Sequence, residues 1–317
     1  MSWKRGNRLR LVTDDIAPPR TREIFDDVRK CLGLPTVPVL YRAYAAAPEF
    51  LELHWQAFRP VVETRQFFLL SARLAAECYT RAHNYFEIPA LRWRESGAHA
   101  DGVLSISQVL DYYQYLDPLL LLIAATQMQA FEGPIGESHA PRDSAQHSTF
   151  PVAPALLKEK EATSAVQRVW DERRRILDLA FVSDEHHALA CWPEGYLEYW
   201  SAIKHLLRSP LFADCQYRIA ESAYGLAREL PVKVEMEISQ VIDAGIDSEQ
   251  VSSLVRIHEA LVQGLTGLMI DITFARIGCE GGTRSGVTPS PQTRSDPAPA
   301  QKPPATEPST SSPTRAA

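Results

Sequence analysis

Two short stretches carry the side chains best suited to proton transfer: Asp184-Glu185-His186-His187 and Asp117-Pro118. A carboxylate held in a sheltered site can take a proton from water and so act as a general base. A second carboxyl beside it, if protonated, can donate a hydrogen bond as an amide does. The adjacent histidines suggest a metal at first sight. Neighbours on a helix point in different directions, however, and neither a His-Glu-x-x-His spacing nor a second ligand cluster accompanies them. They are expected to be structural, with no metal and no organic cofactor. Gly-x-Ser-x-Gly, phosphate-loop and dinucleotide fingerprints are missing, so those enzyme classes are not indicated.

The elements around these acids are written twice. At a constant offset of 145 residues, Thr36–Pro48 (TVPVLYRAYAAAP) faces Phe181–Pro193 (FVSDEHHALACWP). Ile24-Phe25-Asp26-Asp27 faces Val169-Trp170-Asp171-Glu172, and Trp55 faces Trp200. Such a repeat sets the architecture before any helix is drawn. The breaks in it carry the functional signal. Leu40 faces Glu185, and Asp117 faces Val262. A carboxyl at the place of a core residue is expected to be buried, and burial of a carboxyl needs a reason. The plainer readings stay open at this point. Glu185 also suits the first turn of a helix as a surface acid. Asp117 before a proline also suits a helix start, where its side chain would cap.

The chain has 317 residues and a formal net charge of −6, enough for two ordinary domains and no electrostatic invitation to nucleic acid. The five cysteines are odd in number and widely spaced, which favours a reducing, cytoplasmic setting over a disulfide frame. The N-terminal residues are charged without an apolar core, unlike a signal peptide. The longest apolar run, Leu119–Ala125, is too short to span a membrane, so no membrane partner is expected.

Apolar spacing predicts helices near Thr21–Leu32 with Gly33 as cap, Tyr41–Ala46, and Pro48 to Pro60, which should end that helix. Thr64 should cap a long helix to Tyr85. Ser105 and Gln108 read as a capping box, with an interruption expected at Asp117-Pro118. The second copy predicts helices near Thr163–Leu179, Glu185–Cys191, Glu194–Leu207, Pro210–Glu229 and Ser248–Ile277. The fold class is therefore all-α: two tandem copies of a helical unit, packed as a pseudo-two-fold pair. The expected divisions are a lead-in (1–20), a first repeat (21–132), a connector (133–154), a second repeat (155–280) and a Pro/Ser/Thr-rich tail (281–317). The tail is too poor in apolar residues to fold.

LYRAYAAAP with Trp55, FVSDEHHALACWP and LDYYQYLDPLLLLIAA together resemble the DehI-type, or group I, 2-haloacid dehalogenases over about Ile24–Ile277. The resemblance implies a duplicated all-α fold with the active site between its halves. It implies hydrolysis of a short 2-haloacid to a 2-hydroxyacid and halide, with water attacking carbon directly and no cofactor. The family's water-activating aspartate falls on Glu185, while Asp184 keeps the literal Ser-Asp pair with Ser183. Its asparagine before proline falls on Asp117. Its substrate-lining positions fall on Thr36, Pro38, Val39, Leu120 and Ser183. The catalytic set so implied is Glu185, Asp117 and Asp184, the substrate a small molecule. Two other readings remain: a diverged member of the fold that binds a small molecule without dehalogenating it, and a helical interaction domain.

Overall fold

The computed structural model describes residues 11–91, 93, 104–137, 148–179 and 182–283. Half of the lead-in, part of the connector and nearly all of the tail lie outside the described residues. Among those described there are eleven α-helices and no strand; one isolated bridge joins Ile135 and Val234.

The helices are α1 (Pro19–Leu32), α2 (Val39–Tyr44), α3 (Pro48–Val62), α4 (Arg65–Tyr85) and α5 (Ile106–Ala130). After a short 3-10 turn at Glu159–Glu161 come α6 (Ser164–Ile176), α7 (Asp184–Leu189), α8 (Pro193–Ile203), α9 (Pro210–Ala227), α10 (Ile238–Asp243) and α11 (Ser248–Cys279). The local signals explain most of the ends. Proline fills the first position of α1, α3, α8 and α9, where its missing N–H costs nothing. Gly33 closes α1 in the left-handed conformation at φ 66. Thr64 and Ser209 cap α4 and α9, and the Ser105–Gln108 box opens α5.

Two expectations fail at prolines. α3 runs through Pro60 to Val62, and α5 runs unbroken through Asp117-Pro118. A proline inside a helix removes one backbone bond and crowds the preceding turn. In α5 that cost is offset by burial: Leu119 to Ala125 are all at most 1% exposed. Asp117 is therefore no cap. It sits in the middle of a long core helix. The short helix α10, opened by a Glu237–Gln240 box, was not expected.

Four helix starts recur at one offset: 19 and 164, 39 and 184, 48 and 193, 65 and 210, each pair 145 residues apart. Side-chain bonds recur with them. Trp55 Nε1 donates to Asp27 at 2.9 Å, and Trp200 Nε1 to Glu172 at 2.9 Å. The Thr64 hydroxyl donates to the Val61 carbonyl at 2.7 Å, and the Ser209 hydroxyl to that of Leu206 at 2.7 Å. The most extensive helix contact is α5 with α11, and each of these also packs on both α4 and α9. By length and composition α11 would suit a membrane, but 83% of its apolar window is buried within the fold.

Candidate active site

The short helix α7 brings the expected acids into the core. It begins at Asp184 after Ser183 and packs on α5. Glu185 is 5% exposed and Asp117 0%. The surface-acid reading of Glu185 therefore falls, and the depth inferred from Leu40 holds.

The two carboxyl groups are near enough that each shifts the proton affinity of the other. No protein N–H or O–H reaches either oxygen of Asp117, or Oε2 of Glu185. Two buried carboxylates so placed cannot both ionise, so they hold a proton between them. Burial, then the neighbouring Glu185 charge, pushes Asp117 well above the ordinary carboxyl range; Asp271 adds to this. Burial also raises Glu185, while the Ser183 hydroxyl and the bond from Asp117 partly offset it. Both carboxyls are raised, Asp117 the more strongly, so a proton held by the pair belongs to Asp117 before Glu185.

Asp184 does something else. It forms an ion pair with Arg42 of α2, with about a third of its side chain exposed. It ties the start of α7 to α2 and does not join the carboxyl pair. Thr36 is exposed, and its hydroxyl lies 3.0 Å from that of Tyr112. Tyr112 and Tyr113 cross edge to face at 5.1 Å. Burial pushes the Tyr112 hydroxyl up to about 12, and the charges of Asp184, Glu185 and Asp117 add to it. Thr36 thus contacts a tyrosine that feels the charges of the acids. Pro38 is the buried residue before α2, and Val39 its half-buried first residue. Leu120 is buried on α5 one turn beyond Asp117, where it offers only apolar surface.

His186 and His187 diverge as adjacent helical residues should. His187 Nδ1 lies 2.7 Å from the Leu157 carbonyl. His186 Nε2 lies 3.3 Å from Asp271 of α11, and burial drives its proton affinity well down. Among the described residues no group of three or more His, Cys, Asp or Glu is arranged for a metal.

Behind α7 lies a cluster that the sequence reading missed. Arg173 of α6 and Asp271 of α11 form an ion pair with side chains 1% exposed. Tyr199 of α8 donates to Asp271. The Arg173 guanidinium rests over the rings of Tyr199 and Trp200 at 5.0 and 4.8 Å. The signal was present: at the same offset Arg173 faces Val28, and Asp271 faces Thr126.

A cleft of about 1020 Å³ opens between α4, α5 and α11, and Asp117 belongs to its lining. Glu185 stands behind Asp117, away from this lining.

The described residues form an all-helical frame with two acids, Asp117 and Glu185, buried in its core. Comparison with known proteins places that frame. The family model described as halocarboxylic acid dehydrogenase DehI matches residues 35–186, which include both acids. An (R)-2-haloacid dehalogenase of Pseudomonas putida is 25% identical over 276 residues, covering 84% of this chain and 91% of that protein. Another from Rhizobium sp. (strain NHG3) is 22% identical over 227 residues, covering 70% and 88%. A D-2-haloacid dehalogenase mutant superposes with a TM-score of 0.79 at 22% identity, over 88% of this chain and 98% of that one. A D-2-haloacid dehalogenase in complex with L-LA gives 0.78 at 22% identity, over 88% and 100%. Over residues 35–186 the chain matches the DehI family model, and over most of its length it is similar to two 2-haloacid dehalogenases.

Proposed function

We propose that this chain hydrolyses the carbon–halogen bond of a short 2-haloacid, giving the 2-hydroxyacid and halide. Glu185 takes a proton from water while the water oxygen attacks C2. The carbon–halogen bond breaks from the opposite side, and the halide leaves with the bonding electrons. The proton rests on Glu185 and passes on to solvent. Protonated Asp117 donates its one hydrogen bond to Glu185 and so fixes the base, while its other oxygen can accept from the water. This is the part an amide would play at the same place. No ester to the protein forms. Thr36, Pro38, Val39, Leu120 and Ser183 border the substrate, and Asp184 holds α7 through Arg42. The reading is carried by one observation: two carboxyls, from α5 and α7, face each other in the core with no other donor on either oxygen of Asp117.

The matched helix starts, the paired tryptophan bonds and the crossed packing of α4, α5, α9 and α11 support a tandem duplication about a pseudo-two-fold axis. In this reading each half gives one acid, so the site is made asymmetric where the repeat breaks. A single turnover in heavy-oxygen water, with enzyme in excess, tests the chemistry. The label should enter the hydroxyacid. Label found in a protein carboxyl would mean an ester intermediate and would end this mechanism.

A further inference from the structure

α7 carries Glu185 but cannot hold its own place. Six residues make too little helix to persist alone, and Ser183 gives its first turn no side-chain cap. Its position must come from the chain packed around it. Asp184 pairs with Arg42 of α2. His187 Nδ1 lies 2.7 Å from the Leu157 carbonyl, and the Leu157 amide donates to the His187 carbonyl at 3.0 Å. Between these two ties stands His186, the residue next to Glu185. Trp170 Nε1 donates to its carbonyl at 3.3 Å, and its own Nε2 lies 3.3 Å from Asp271 of α11. Burial keeps this imidazole neutral, so its one N–H is donated from Nε2 to the Asp271 carboxyl group.

Asp271 also receives Arg173 of α6 and the Tyr199 hydroxyl of α8, so α6, α7, α8 and α11 meet on one carboxyl group. A buried ion pair seldom stabilises a fold more than packed apolar side chains would. The residues 145 places earlier indicate that this fold does not require one. Val28 stands opposite Arg173, Thr126 opposite Asp271, His54 opposite Tyr199 and Tyr41 opposite His186. Those four are buried and form no ion pair. The charged version occurs only in the half that carries Glu185.

We propose that Arg173, Asp271 and His186 are positioning residues that hold α7 so that Glu185 stays beside Asp117. The proposal rests on the hydrolase reading for its effect on rate, and on the contacts alone for the placing of α7.

The test compares the full-length wild type with three variants. Arg173→Met with Asp271→Leu replaces the ion pair by apolar volume and keeps the core filled. His186→Phe removes the donor to Asp271, and His186→Gln retains one. Urea melts read the fold, amide hydrogen exchange reads α7, and bromide release from 2-bromopropanoate reads the chemistry. In the double variant and in His186→Phe, exchange at residues 187–190 should quicken by about tenfold or more, while the amides of α5 and α11 stay as in the wild type. In the same two proteins kcat should fall by about tenfold or more, with KM changed less than about threefold. His186→Gln should recover most of both effects. If the double variant does not fold, the two His186 variants decide: equal losses in His186→Phe and His186→Gln overturn the proposal. Unchanged exchange in α7, or wild-type kcat in the double variant and His186→Phe, also overturns it and leaves the hydrolase reading intact. A wild type that releases no bromide, with exchange in α7 still quickened by the variants, overturns the hydrolase reading and supports the anchoring of α7.

Discussion

Replacing Asp117 by asparagine isolates the proton that the carboxyl pair is argued to hold. Folding raises the proton affinity of Asp117 far above its reference value of 3.8. Below about pH 4 both folded and unfolded chains carry this proton, and pH has no leverage through it. Above that, the unfolded chain releases the proton and the folded chain keeps it. Stability then falls as pH rises, by about 1.4 kcal/mol per pH unit, until the folded group itself titrates. Asp117→Asn has the same shape and nothing to titrate. Its stability advantage over the wild type should therefore grow as pH rises above about 4, at up to about 1.4 kcal/mol per unit. Urea melts of both proteins at pH 5, 6 and 7 read this directly, with m-values checking that compactness is unchanged. A gap between the two proteins that stays constant with pH, or that shrinks, would refute the proton-sharing pair.

Other consequences are independent of that one. Glu185→Gln keeps the shape and removes the base, so halide release should fall at least 100-fold while the melting temperature moves little; loss of the fold instead would make Glu185 structural. Asp271→Asn leaves the Arg173 guanidinium buried without its counter-charge and should cost about 3–5 kcal/mol in denaturant melts, whereas Arg173→Met with Asp271→Leu should recover most of that. Thr283 accepts from the Ile88 amide at 2.8 Å and donates its own amide to the Ile88 carbonyl at 2.9 Å. A chain ended after Arg284 should melt with the full-length protein, while one ended after Glu280 should lose about 1 kcal/mol per bond; equal melting of the two would show that Thr283 contributes nothing.

Much of this arrangement was legible in the sequence because the repeat converts an apolar residue in one copy into a burial estimate for the other. Leu40 reported the depth of Glu185, and Val262 that of Asp117. Helix ends were legible where proline or a short hydroxyl residue sets them, as at Pro48, Thr64 and Ser209. What local signals misread was decided by packing. Pro60 and Pro118 look like breaks, but the buried run after Pro118 holds α5 together across the missing bond. The choice between Asp184 and Glu185 was also not local: it depends on Arg42, 142 residues away, which draws Asp184 aside. Arg173 went unnoticed inside the charged run Asp171–Arg175, and Asp271 as a lone charge in an apolar stretch of α11. Only the fold shows them to be partners. Residues 281–283 were assigned to an unstructured tail from composition, yet Thr283 bonds to Ile88.

The central claim is that Glu185, partnered by protonated Asp117, activates water against a 2-haloacid. Halide release from racemic 2-chloropropanoate and 2-bromohexanoate, measured side by side for wild type, Glu185→Gln and Asp117→Asn, tests it most directly. The account predicts release by the wild type, none above background by Glu185→Gln, and equal or faster release by Asp117→Asn. Undiminished release by Glu185→Gln would contradict it. So would silence from both the wild type and Asp117→Asn on every acid.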